Sequence, residues 1–508
     1  MSQSDGVTET RSSLRDNVDA LIAQFDRFGL SARPPEMIAL DDAALAAVTS
    51  ARARLLNLLE NDERIRNVGI VGESELEALL LQLIRLCSEG RLHHYLNEVE
   101  VPYPVYNFFA GFDENGRGPW DRALSFPEAP TPMRWSVFGL PTRLPIGVPA
   151  SGLTANWRWI RYFARRGFNV LTYKTVRSEP RSPHCYPHWV FIADGDPWES
   201  LEDLSEVYGD LETWPKDMRR FSTANSFGVP SPHPEVWKAD VGRALAELSP
   251  GQLLIVSVMG SNEEYSGNAM VDDFVRVARL AEETGAPAIE LNLSCPNTVR
   301  SNELGMGPPI CSDPTTTETI VREVRGALSQ QVKLVVKLSA LHADILAAVV
   351  KAIGGLVDGV AGINTVQVPI HRHGSKESPF IGTAEDATRP RTAAGVSGSR
   401  IKPLGFNFVE NVARIRGQLG FSFSILGMGG VTDVSDVEAY ARRGADVVQT
   451  ATGACLYPQL PLALSEVPDP WGRPVGIGDL RARSRLGRVG RVLSTGGLSL
   501  VLDRDGAR

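Results

Sequence analysis

From residue 144 onward the chain alternates between two hydrophobic patterns. Short apolar runs occupy 144–151, 168–175, 253–260, 286–294, 332–339, 360–366, 424–430 and 445–453, and each ends in small or polar residues. Runs of this length without polar alternation are expected of parallel strands buried on both faces. Between most of them lie longer segments with apolar positions three and four apart, such as Trp157, Ile160, Phe163 and Ala164, and the stretches 270–283, 341–353 and 434–443. Those are amphipathic helices, and strands alternating with helices predict βαβ units. Eight such units predict an α/β fold, a closed (β/α)8 TIM barrel.

The first 135 residues read differently. Residues 1–9 are polar and expected to be disordered. Leu14, Val18, Leu21, Ile22 and Phe25 share one helical face within 13–28, and Gly29 stops it. A second helix is expected over 41–61. A third starts at the capping box Ser74-Glu75-Leu76-Glu77 and runs to Gly90. The expected division is therefore a helical accessory domain over 1–135, for packing, oligomerisation or docking, and a barrel over 136–508 with an insertion around 178–220. The Pro-rich excursion 176–250 is long enough to need small elements of its own or a function.

Composition narrows the class. A net charge of −8 with no basic run argues against nucleic acid and anionic membrane as partners. No apolar run reaches a membrane-spanning length, and the start is polar and Ser-rich, so no span or signal peptide is expected. The five cysteines (Cys87, Cys185, Cys295, Cys311 and Cys455) are scattered without a CxxC pair, which points away from iron–sulfur clusters and structural zinc and towards a reducing cytoplasm. No metal site is expected: His93-His94 is badly spaced for helical ligation, and His371-Arg372-His373 has no evident further ligands.

Candidate chemistry gathers at strand ends, where a barrel carries its active site. The fourth run surfaces in Glu290-Leu291-Asn292-Leu293-Ser294-Cys295-Pro296-Asn297. Cys295 alone could be a small buried hydrophobe, but two carboxamides beside it demand hydrogen-bond partners where buried, and a planar ligand with amide edges would supply them. Gly427-Met428-Gly429-Gly430 and Thr452-Gly453 follow the last two strands, the usual phosphate position of a barrel; the alternative is a pair of tight turns. Lys337 lies within an apolar strand and Lys174 at the end of another. Each either snorkels or opposes an electron-rich ring. Asn225, Asn292, Asn297 and Asn364 are singly readable as turn or cap residues.

Asn-Leu-Ser-Cys-Pro-Asn resembles the signature of the dihydroorotate dehydrogenase family, and the resemblance covers roughly 144–455. It implies FMN across the barrel mouth and a pyrimidine ringed by Asn225, Asn292, Asn297 and Asn364. Cys295 would be the base that takes the C5 proton, with the C6 hydride passing to flavin N5. Asn225-Ser226-Phe227-Gly228-Val229-Pro230 resembles the family loop whose backbone N–H groups hold the substrate carboxylate, which implicates Phe227, Gly228 and Val229. Lys174 matches the lysine between flavin and substrate. By the same resemblance Ala150, Ser151, Gly152, Lys174, Thr175, Asn292, Lys337, Thr365, Ser397 and Gly398 would contact the flavin, and Gly429, Gly430, Thr452 and Gly453 its phosphate. The sequence departs from the family in residues 1–135, in the insertion, in Phe227 where Met is usual, and in 298–309, the family's mobile lid.

The electron acceptor is not legible: fumarate, a quinone or a partner protein would serve, and homo-oligomerisation is left open. Two rivals stand beside dihydroorotate oxidation in pyrimidine biosynthesis. One is a dihydropyrimidine dehydrogenase-type reduction of uracil or thymine, which needs no carboxylate loop. The other is a non-catalytic flavin-binding or regulatory barrel.

Overall fold

The computed structural model describes residues 104–119, 133–211, 220–261, 266–294, 307–380, 391–458 and 460–465. The three N-terminal helices expected from the sequence lie outside these residues, as do Cys295 and Asn297. By contacts the chain divides into two compact units, and the second, comprising Tyr106–Pro119 and Phe126–Gly490, is the one described. The segment Tyr106–Pro119 thus packs with the barrel although it precedes residue 135.

In chain order, β1 (Trp135–Val137) and β2 (Leu140–Thr142) form an antiparallel hairpin. There follow β3 (Ile146–Val148), β4 (Val170–Val176), β5 (Trp189–Ile192), β6 (Val207–Asp210), β7 (Ser222–Asn225), β8 (Leu253–Val258), β9 (Ala288–Asn292), β10 (Lys333–Lys337), β11 (Gly359–Gly362), β12 (Val366–His371), β13 (Ala393–Gly398), β14 (Ser424–Gly427) and β15 (Val447–Gln449). Strands β3, β4, β8, β9, β10, β11, β14 and β15 pair in parallel, in that order, and close on themselves. These are the eight strands the apolar runs predict. Each is followed by a helix: α1 (Trp157–Ala164), α2 (Pro234–Ala246), α3 (Asn268–Glu282), α4 (Pro314–Ala327), α5 (Ala343–Ile353), α6 (Lys402–Leu419), α7 (Val434–Arg442) and the short α8 (Thr452–Leu456).

Local chemistry sets the helix starts. Asn156 caps α1 by accepting from the N–H groups of Arg158 and Trp159 at 3.0 and 3.4 Å. Asp313 caps α4 ahead of Pro314, and Asp433 caps α7. Such caps satisfy N–H groups that the helix itself leaves open, each worth about 1 kcal/mol.

Inside the barrel, Val170, Leu253, Ile255, Ala288, Val335, Ala361, Leu426 and Val447 form one apolar cluster with Val137 and Phe138 of the hairpin. Phe138 closes the floor so tightly that a Cβ on Gly359 would stand 2.7 Å from its ring. Because inward positions alternate, the next inward residues along β8, β9 and β10 are Ser257, Glu290 and Lys337. All three are buried. Gln449 on β15 reaches past β3 to β4, donating to the Val170 carbonyl and the Thr172 hydroxyl at 3.1 and 3.0 Å. The interior therefore changes from dry at the floor to polar towards the mouth.

The two long excursions, after β4 and after β11, contribute β5, β6, β7, β12 and β13, which close into a second, smaller barrel. Its register puts Val190, Ala224 and Val396 on one buried face and Trp189, Thr223, Asn225 and Ser397 on the other. The second face is stitched by hydroxyls: Trp189 Nε1 donates to Thr223 Oγ1 at 2.7 Å, which meets Ser397 Oγ at 2.8 Å.

Phe138→Ala removes the floor of the core and is expected to cost about 3–5 kcal/mol. A denaturant titration checks this; an unchanged midpoint would mean that the hairpin only rests against the barrel.

Candidate active site

The strand ends are joined by a continuous chain of neutral polar groups. Ser257 Oγ meets Thr175 Oγ1 at 2.9 Å, and Asn292 Nδ2 donates to Thr175 Oγ1 at 3.2 Å. Asn292 Oδ1 in turn accepts from Ser294 Oγ at 2.5 Å and from Ser294 N at 3.3 Å. Asn364 Nδ2 donates to Ser294 Oγ. One relay thus runs from β8 through β4 and β9 to the segment after β11. It brings Asn292 and Asn364 together through Ser294.

Strand β4 can supply two neighbouring residues because its register slips between Tyr173 and Val176. A bulge of this kind re-aims side chains beside a site. Thr175 joins the relay, while Lys174 Nζ stands 5.3 Å from the Phe227 ring. Asn225, at the end of β7, donates through Nδ2 to the Gly395 carbonyl at 3.1 Å. Phe227 packs in an aromatic wall with Tyr106, Trp189 and the parallel ring of His188, 5.6 Å away. That wall borders the Ala150-Ser151-Gly152 turn: a Cβ on Gly152 would lie 3.1 Å from the Tyr106 ring and 3.4 Å from Phe227. Thr365 packs its hydroxyl on Gly395.

The two glycine turns are pinned together. Gly453 N donates to the Val431 carbonyl at 3.0 Å and to Thr450 Oγ1 at 2.8 Å. Gly429 and Gly430 have φ of 128° and 70°, in the region that favours glycine. A Cβ on Gly430 would sit 2.5 Å from the Gly398 carbonyl, so the turns after β13 and β14 pack backbone to backbone. The N–H groups of Gly429, Gly430 and Thr452 make no hydrogen bond to another described residue. The Gly453 N–H, by contrast, is already engaged.

Below the relay, Glu290 is fully buried, with Ser257 and Lys337 beside it. Burial pushes its pKa up, against the opposing pull of Lys337 and Ser257. Ser294, Ser257, Glu290 and Gln449 were not among the residues singled out from the sequence. For Ser294 a signal existed: it stands between the two residues of the motif that drew attention. His371 lies in the second sheet, 3.2 Å from Glu206, and among the described residues no cluster could hold a metal ion. No described helix is long and apolar enough to cross a membrane.

Barrel, mouth relay and paired glycine turns define a (β/α)8 barrel with a polar, preorganised mouth, and comparison with known proteins makes this specific. The dihydroorotate dehydrogenase family profile matches residues 216–463. A dihydroorotate dehydrogenase of Dictyostelium discoideum is 28% identical over 316 residues, spanning 61% of this chain and 81% of that protein. The dihydroorotate dehydrogenase B (NAD(+)) catalytic subunit of Thermoplasma volcanium is 30% identical over 239 residues, 46% of this chain and 67% of its own. The NAD-dependent dihydropyrimidine dehydrogenase subunit PreA of Escherichia coli is 29% identical over 217 residues, 42% of this chain and 48% of PreA. The crystal structure of DHODH from Eimeria tenella in complex with ferulenol shares the fold, with a TM-score of 0.51 at 16% identity over 74% of this chain and 91% of that one. The chain belongs to the dihydroorotate dehydrogenase family, flavoenzymes acting on a CH–CH donor.

Two expectations follow from the geometry. Ser294→Ala removes the hydroxyl that bridges the Asn292 and Asn364 carboxamides and should cost about 1–3 kcal/mol, read as a lower denaturation midpoint. Glu290 has a raised folded pKa, so its contribution is fully present at low pH and is lost as pH rises from the ordinary carboxylate range through the folded value. Glu290→Gln should therefore flatten the stability–pH curve in that window; urea midpoints between pH 4 and 7 test it, and an unchanged slope would refute it.

Proposed function

We propose that this chain is an FMN-dependent dehydrogenase that oxidises dihydroorotate to orotate. The observation that carries the reading is the relay across the mouth, which gathers carboxamides and hydroxyls at the barrel end from which the glycine turns also rise. The residues present fit FMN. The N–H groups of Gly429, Gly430 and Thr452 make no hydrogen bond to another described residue, and the turns are fixed by backbone packing at Gly398. Ala150, Ser151, Gly152, Thr365 and Ser397 would border its ring, with the Lys337 ammonium beneath. When bound, FMN supplies the hydride acceptor.

The remaining work belongs to side chains of this chain. Asn225, Asn292, Asn297 and Asn364 bind the amide edges of the pyrimidine, and the Ser294 hydroxyl holds two of them in register. Lys174 fixes a cation beside the substrate. The N–H groups of Phe227, Gly228 and Val229 hold its carboxylate, which favours dihydroorotate over a neutral dihydropyrimidine. Cys295 takes the C5 proton; an ordinary thiol titrates near pH ~8.5, so turnover should rise with pH through the neutral range.

Cys295→Ala should lose about 10²–10⁴-fold in turnover, the usual worth of positioned proton transfer, while retaining the flavin spectrum. Wild-type turnover in that variant would remove Cys295 from its role. Anaerobic titration of the purified protein separates the substrate classes: dihydroorotate should bleach the flavin and dihydrouracil should not. Bleaching by dihydrouracil alone would move the chain to the pyrimidine-reducing class, and a protein without flavin bands would make it a non-catalytic barrel.

A further inference from the structure

The loop 225–231 is held by a companion segment of the chain, 177–188, and by one arginine from outside both. His184 N donates to the Phe227 carbonyl at 3.0 Å, Ser226 N donates to the His188 carbonyl at 2.8 Å, and Arg181 and Ser231 exchange backbone bonds at 2.8 and 2.9 Å. Arg177 Nε donates to the Val229 carbonyl at 3.2 Å. Arg391 spans four carbonyls: Nη1 reaches Ser226 at 3.0 Å and Pro187 at 3.2 Å, and Nη2 reaches Cys185 at 2.8 Å and Phe380 at 2.7 Å.

The carbonyls of Ser226, Phe227 and Val229 are thus committed to donors. In a trans peptide the following N–H points the opposite way, so the N–H groups of Phe227 and Gly228 face away from Arg391 and His184. Those of Phe227, Gly228 and Val229 make no hydrogen bond to another described residue. Gly228 and Val229 have successive positive φ values of 78° and 49°. For a β-branched residue that is an outlier maintained only when its surroundings impose it. Successive N–H groups turned to one side form an anion-binding concavity.

We propose that Arg391 is a positioning residue for an anionic substrate group: it locks the carbonyl side of the 225–231 loop so that the N–H side stays open to a carboxylate. It acts through the loop and does not touch substrate. This rests on the dihydroorotate reading, which supplies the carboxylate. A planar guanidinium can serve four carbonyls at once, whereas a lysine at this position keeps the charge and loses the fork, so R391K separates geometry from long-range attraction. G228A perturbs the same loop without changing charge, because its Cβ would lie 2.5 Å from the His184 ring.

The test is orotate affinity, measured by calorimetry on flavin-loaded protein, alongside flavin content and the limiting rate of flavin reduction by dihydroorotate. In R391K and G228A the orotate dissociation constant should rise 10-fold or more with flavin content kept, and in R391K the limiting reduction rate should stay within two-fold of wild type. Affinity within two-fold of wild type in both variants overturns the proposal. So does loss of flavin together with orotate in both, since the arginine would then serve the fold. If the wild-type flavin is not bleached by dihydroorotate, it is the functional reading that fails, and the wild-type dihydroorotate titration reports that before any variant is made.

Discussion

The mouth of the barrel depends on one constraint: buried hydroxyls and carboxamides must satisfy each other before they can face a ligand. Ser257, Thr175, Asn292, Ser294 and Asn364 do so in a single file, each with a partner on a different part of the rim. Unpaired, such groups would each cost about twice what a typical hydrogen bond returns. The file therefore fixes side-chain rotamers in advance, and any ring seated on it meets preorganised partners.

Beneath this file the interior changes character by one inward step per strand. Ala288 gives way to Glu290, Val335 to Lys337 and Ile255 to Ser257, all from the alternation of a pleated strand. Burial raises the pKa of the Glu290 carboxyl while the neighbouring Lys337 pulls it down, and this pair sets the local field under the mouth. The second small barrel adds the remaining wall. Its buried apolar face holds it together, and its hydroxyl-bearing face carries Asn225 and Ser397 to their places.

The barrel was legible because central parallel strands must be apolar on both faces, so each shows as an uninterrupted run. The small barrel was not. Ser222-Thr223-Ala224-Asn225 has nothing to mark it as β, and its partners lie far away in the chain, at Trp189–Ile192 and Ala393–Gly398. The amide-bearing positions were found by likeness to a family rather than by pattern, since a single Asn is ordinary in any loop. Glu290 stayed hidden within an apolar strand, and Arg391 within a polar, Pro-containing stretch that reads as solvated loop. Three of its four carbonyl acceptors are visible only once segments about 165–206 residues apart are brought together.

The slip in β4 has an evolutionary corollary. Because two adjacent residues, Lys174 and Thr175, must reach the same opening, this strand constrains length more severely than identity. Exchanging one polar residue for another there alters a contact. Deleting or adding a single residue would restore strict alternation and rotate one of the pair to the outside, so descendants of this scaffold should vary by substitution at the bulge and scarcely ever by a change in its number of residues.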